Sequence, residues 1–195
     1  MILKPQKREQ IFPLPVAFIS TLDKNGIANI GAWSNITPIC KPLDKIVFAS
    51  LLNRDTLSNV RETKEFVVSI PTSDMLEEVM ITSKNFPHEV DEFIEADLKA
   101  HQSYKVKVPG VDGCLAWAEC TLVEEILREN FSLIIGKVVT LEVNDDYFNE
   151  SGTMDLELAH PLTVMLGDKS MQYTIPIKHG RSADYSEMFI KKTLS

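Results

Sequence analysis

Short apolar runs rich in β-branched residues recur along this chain, each bounded by polar, Gly or Pro residues, which is the pattern of strands joined by turns. The first run covers Pro15 to Leu22. Asp23-Lys24-Asn25-Gly26 follows, and its Asn-Gly pair suits the positive φ angles of a tight hairpin. Ile27 to Trp33 is the predicted return strand. Lys45 to Leu52 (KIVFASLL) and Glu65 to Ile70 (EFVVSI) supply a third and a fourth. Between them Asp55 to Thr63 has room for about two helical turns, with Leu57 and Val60 forming a small apolar face. Asp74 to Ser83 carries a fuller helical stripe of Met75, Leu76, Val79 and Met80, and Asp74 with Glu77 has capping-box-like spacing. Another short helix is predicted over Asp91 to Leu98. Strands resume at Tyr104 to Val108, Cys114 to Leu127 and Phe131 to Val143. Leu162 to Leu166 and Met171 to Ile175 pattern as a last hairpin around Gly167-Asp168-Lys169. The tail from Arg181 to Ser195 is polar, with Tyr185, Met188 and Phe189 as its apolar anchors.

The reading is therefore mainly β with short peripheral helices, at about seven strands before the last hairpin. Strands and helices do not alternate, which argues against a doubly wound parallel sheet. Neither G-x-G-x-x-G nor a Walker A motif is present. The two longest strands suit the wall of an antiparallel barrel, whose residues alternate inward and outward.

Composition narrows the class. At 195 residues and 44% hydrophobic, the chain can bury a core without disulfides, as a single domain over 1–195. The formal net charge of −8 lacks the basic footprint of a nucleic-acid binder and is repelled by anionic membranes. Cys40, Cys114 and Cys120 are odd in number and contain no C-x-x-C pair, so they are expected to be structural or incidental thiols. The start of the chain shows no secretory h-region, and no apolar run is long enough to span a bilayer, so the expected location is the cytoplasm.

Two segments carry candidate chemistry. In Asn53-Arg54-Asp55-Thr56-Leu57-Ser58-Asn59 a helix start, with Asp55 as its expected N-cap, meets a cation and a hydroxyl. Unpaired N–H groups and the guanidinium suit a phosphate. The same residues also fit a plain capped helix with an exposed Arg and Thr. In Asn29-Ile30-Gly31-Ala32-Trp33-Ser34-Asn35 two small residues precede a large aromatic. Such a stretch lets a planar ligand approach the backbone, with Trp33 as a wall, and it equally fits a Gly bulge beside a core Trp. His88, His101, His160 and His179 have no metal-ligand spacing and read as solvated or loop residues, and no G-x-S-x-G elbow is present. No side chain is singled out as a catalytic acid or base, which is compatible with an enzyme whose cofactor carries the chemistry.

In order, these segments resemble the flavin reductase-like family of FMN-binding split barrels. The likeness takes in Pro15 to Thr21, and Asn29 to Ser34 against the family's N-x-A-P-x-S. It continues with Arg54-Asp55-Thr56 and Asn59 against K-D-T-x-x-N, Glu65 to Ser69 against E-F-V-V-N, Val90 to Phe93 against D-E-F, and Gly136 to Val139 against G-x-V-V. Gly31-Ala32 departs from Ala-Pro, and Arg54 from Lys. The resemblance implies a six-stranded antiparallel barrel with Greek-key wiring, over a core of about 10–176 with a C-terminal extension, paired as a homodimer. It implies FMN as cofactor, with Arg54, Thr56 and Asn59 near the phosphate. Ala32, Trp33, Ser34 and Asn35 would lie along the ring edge, with Ser50 and Leu51 nearby, Lys84 in reach of the flavin or its phosphate, and Asn29 and Asp55 also among the cofactor-binding residues. NADH or NADPH is the implied electron donor of a flavin oxidoreductase. A flavoredoxin-like carrier serving a redox protein partner, or a non-catalytic flavin-binding barrel, are the other implied activities.

Overall fold

The computed structural model describes residue 2 and residues 11–39, 42–167 and 169–181. Cys40, Asp168 and the anchors Tyr185, Met188 and Phe189 lie outside the described residues. The strands are β1 (Leu14–Pro15), β2 (Ala17–Leu22), β3 (Ala28–Trp33), β4 (Ile36–Pro38), β5 (Lys45–Leu51), β6 (Glu65–Ile70), β7 (Ala100–His101), β8 (Gly110–Val111), β9 (Ala116–Leu127), β10 (Phe131–Val143), β11 (Thr163–Leu166) and β12 (Met171–Thr174). The helices are α1 (Asp55–Thr63), α2 (Leu76–Thr82), α3 (Glu92–Glu95) and α4 (Leu156–Ala159).

Seven strands form one antiparallel sheet in the order β3-β2-β6-β9-β10-β5-β4. The expected count of six is thus corrected by one. The extra strand is β4, which continues the chain after a two-residue bend at Ser34-Asn35. That bend explains the curl. β3 and β4 occupy opposite edges of the sheet, yet three Cα steps separate Trp33 from Ile36, a reach of at most about 11 Å. The edges must therefore come together at this corner, and because they are not hydrogen-bonded to each other the barrel stays split.

Alternation puts apolar side chains on both faces of the central strands. The inner face collects Ala17, Ile19, Ile46, Phe48, Phe66, Val68, Cys120 and Ile134, and α1 fills the barrel with Leu57 and Val60. Gly136 is needed there, because a Cβ would overlap the Phe66 ring. The outer face carries Phe18, Ile30, Val67 and Trp117, covered by Val79, Phe93, Val106, Val108 and Val164 from the later segments.

Local differences from the sequence reading have local causes. In the β2–β3 turn only Gly26 takes a positive φ, at 87°. Asp23 does the rest, accepting the N–H groups of Asn25 at 2.8 Å and Ile27 at 2.7 Å. Asp74 does not cap a helix: Ser73–Met75 forms a 3₁₀ turn that leads into α2 without a side-chain cap. Met80, expected on the buried stripe, is 52% exposed. Tyr104 to Val108 is not a strand. The N–H groups of Tyr104, Lys105 and Val106 converge on the buried Glu119 carboxylate at 2.8, 2.6 and 3.0 Å. Three successive donors turned to one side chain cannot serve a ladder, in which they alternate in direction. His101 is not a solvated loop residue either, since it stacks on Trp117 with ring centroids 3.9 Å apart and bonds Glu142 at 2.8 Å.

Candidate functional site

The corner that splits the barrel also opens a cleft of about 410 Å³ between β3, the start of α1, the segment after α2 and the start of α3. Among its lining residues Arg54 and Lys84 are basic, and Asp55 and Glu92 are acidic.

The start of α1 leaves backbone donors open. Arg54, not Asp55, takes the N-cap position, with extended φ −100° and ψ 137° and no side-chain cap. The N–H groups of Leu57 and Ser58 both go to the Arg54 carbonyl, at 3.1 and 3.2 Å. Those of Asp55 and Thr56 have no partner within the helix, so the positive end of its dipole stays open. Asp55 is the first helical residue, and its carboxylate turns to His88, 3.2 Å away, instead of capping. The Arg54 guanidinium is held by Asn85 Oδ1.

Beside this end runs a directed hydrogen-bond network. Thr56 Oγ1 donates to Asn29 Oδ1 at 2.9 Å, and Asn29 Nδ2 donates to Glu92 Oε2 at 2.7 Å. The Ile30 N–H reaches the same oxygen at 2.6 Å. Asn59 Nδ2 donates to Thr21 Oγ1 at 3.1 Å, and Thr21 leans on Asn29 at 3.4 Å. Asp91 caps α3 by accepting the Phe93 N–H at 2.9 Å, which places Glu92 against β3.

Trp33 forms the opposite wall. Its ring meets Phe48 edge-on at 5.2 Å, and its buried Nε1 has no partner. A Cβ on Gly31 would sit 2.7 Å from that nitrogen, so the glycine makes room for the indole.

Of the residues expected at the site, Asn29, Ala32, Trp33, Leu51, Arg54, Asp55, Thr56 and Lys84 come together as cleft lining. Ser34 instead borders a neighbouring apolar recess of about 40 Å³ with Val164, Met171 and Tyr173. Asn35 is exposed and bonds the Ala49 carbonyl at 2.8 Å. Ser50 is buried and bonds the Leu51 carbonyl at 3.0 Å. Asn59 is buried and reaches the cleft only through Thr21 and Asn29. The sequence reading passed over Glu92, Thr82, Ser83, Asn85 and Phe86 as lining residues, and it held Asn53 only as the start of the candidate segment. A signal existed for Glu92, which lies inside Val90 to Phe93, but sequence spacing does not say that α3 docks on β3.

Burial pushes the Glu92 carboxyl up to about 7; the Ile30 N–H opposes this, the charges of Asp55 and Asp91 add to it, and Arg54 opposes it. The group therefore holds its proton more tightly folded than unfolded. Stability should be unaffected below the ordinary carboxyl pKa, fall as pH rises towards 7, and stay reduced above it. Allowing for solvent that enters from the cleft, the full loss is about 2 kcal/mol. Thermal melts of wild type and Glu92→Gln between pH 5 and 8 check this. The variant should gain on wild type as pH rises, and a constant difference would contradict it.

Residues 8–166 match the model of the flavin reductase like domain. The chain belongs to the flavin reductase-like family. An uncharacterised protein of Methanothermobacter thermautotrophicus is 45% identical over 194 residues, covering 97% of this chain and 92% of its own. Among solved structures, the flavoredoxin of Desulfovibrio vulgaris (Miyazaki F) superposes with a TM-score of 0.83 at 19% identity, over 96% of this chain and 100% of that one. Nitrilotriacetate monooxygenase component B from Bacillus cereus superposes with 0.80 at 24% identity, over 92% and 98%. The architecture is accordingly the split barrel of this family's flavoproteins.

Proposed function

We propose that the cleft binds FMN, and that the protein is a flavin oxidoreductase which accepts hydride from NADH or NADPH. The observation that carries this reading is the pairing, across one cleft, of an uncapped helix start flanked by Arg54 and Lys84 with an indole wall at Trp33. A phosphate fits the first and a planar ring the second. The open N–H groups of α1 are donors awaiting acceptors, and a flavin nucleotide carries such acceptors on its phosphate. Arg54, Lys84 and the backbone of Asp55 and Thr56 would hold the phosphate, while Ala32, Trp33 and Leu51 would border the ring. Bound FMN supplies the hydride and electron transfer, and the chain binds it, orients it and excludes water. The Thr56 hydroxyl has a single proton and gives it to Asn29, so Thr56 contributes through its backbone.

The reading includes a homodimer. Leu51 and Phe131 are paired across β5 and β10 on the outer face, at 53% and 39% exposure, with Ala49, Leu133, Val47 and Ile135 continuing the strip. Among the described residues no later segment covers this apolar face, and it runs up to the cleft at Leu51, so a second copy would seal both. Among the described residues no helix is long and apolar enough to cross a membrane. The buried free thiols Cys114 and Cys120 fit a cytoplasmic setting, and burial pushes both well up from the ordinary thiol range.

The test is an absorbance spectrum of protein titrated with FMN, followed by anaerobic NADH and NADPH. Tight binding with bleaching of the flavin band is expected. Binding without bleaching by either nucleotide would favour a flavoredoxin-like carrier, and absence of binding would end the reading.

A further inference from the structure

Glu92 uses only half of its carboxylate inside the protein. Oε2 takes the Ile30 N–H and the Asn29 amide, while Oε1 has no hydrogen-bond partner among the described residues and is not sealed from the cleft that Glu92 lines. The neighbouring hydroxyl protons are already spent, and each neighbouring amide has one of its two N–H groups committed. Thr56 and Thr21 both point their protons at Asn29, Asn59 points one at Thr21, and Asn29 points one at Glu92. At this place the cleft therefore offers an acceptor, and a ligand atom there must bring its own proton. A phosphate oxygen would meet an acceptor, and at neutral pH or above a like charge, while a hydroxyl would be satisfied.

We infer that Glu92 is a specificity-determining residue whose Oε1 accepts the O–H of a hydroxylated chain linking the ring and the phosphate of the bound ligand. This rests on the flavin reading above and deepens it. The cleft is then divided by hydrogen-bond sense. Arg54, Lys84 and the α1 start donate to the anion, and Glu92 accepts from the polyol.

Glu92→Gln tests it, because the amide oxygen still serves Ile30 and Asn29 while the cleft side loses its charge. Flavin fluorescence quenching at pH 8.5 compares FMN, riboflavin and lumiflavin, the last having the ring without the polyol. Riboflavin should bind about tenfold more weakly to the variant, and lumiflavin should change by less than about twofold. FMN should lose less than riboflavin, since removing a negative charge helps the phosphate. An unchanged riboflavin affinity would overturn the inference. So would equal losses for riboflavin and lumiflavin, which would mean that Glu92 acts through Asn29 and the fold. Wild-type protein that quenches none of the three flavins would instead sink the flavin reading itself, and the inference with it.

Discussion

Replacing Arg54 with Ala should weaken FMN binding about ten- to a hundredfold, the equivalent of losing one charge-assisted hydrogen bond of roughly 1.5–3 kcal/mol. FMN carries a phosphate dianion, and the cleft lining holds two cations against two carboxylates, so the loss of one cation is not easily absorbed. The helix start stays open in the variant, because Arg54 contributes no side-chain cap. Removing the guanidinium also removes a charge that favours ionised Glu92, so Glu92 holds its proton more tightly and repels the phosphate less, which trims the loss without cancelling it. Riboflavin lacks the phosphate, so its affinity should hardly change. Parallel titrations of both flavins into wild type and variant decide the matter. Equal losses would assign Arg54 to the ring or, through its contact with Asn85, to the loop after α2.

A second large effect is expected away from the cleft. Glu119 is buried, and its two oxygens accept the N–H groups of Tyr104, Lys105 and Val106. Glu119→Ala would leave these donors without a partner and should cost about 3 kcal/mol or more. In a chain of this size that lowers Tm by roughly 6–12 °C. Glu119→Gln keeps an acceptor for Lys105 and Val106 but sets an amide N–H against that of Tyr104, so its loss should be smaller. Circular dichroism melts of both variants check the order. A fall of less than about 2 °C for the Ala variant would show that water replaces the carboxylate without penalty. Flavin affinity, measured well below the transition, should stay near wild type because Glu119 does not line the cleft.

These two residues differ in how visible they are in the sequence. Arg54 stands at a strand-to-helix junction next to Asp55 and Thr56, and apolar periodicity alone brackets that junction, with α1 and β6 lying where the pattern puts them. The resemblance to flavin reductase-like proteins rested on just such local segments, and the family match over 8–166 agrees with it. Glu119 sits in the long apolar-and-charged run of β9 and gives no local sign that it will gather three amides from residues 13 to 15 positions earlier. Asp55 is instructive in the other direction. Its type favours capping, but its side chain finds His88, some thirty residues on, and the cap position passes to Arg54.

By itself, then, the sequence determined what depends on neighbours along the chain: strand alternation in β2, β5, β6 and β10, the helical span of α1, the turn at Gly26, and the small-then-aromatic stretch ending at Trp33. Those follow from backbone propensities and from a side-chain period of about 2 or 3.6 residues. Tertiary structure decided what depends on partners brought from elsewhere. The bend at Ser34-Asn35 joins opposite edges of the sheet, so a seventh strand forms and the sheet curls. The docking of α3 on β3 turns Glu92 from a charged residue in a short acidic helix into the buried acceptor of a directed network. Hydrogen-bond direction and burial are properties of assembled groups, and neither is set until the chain has closed on itself.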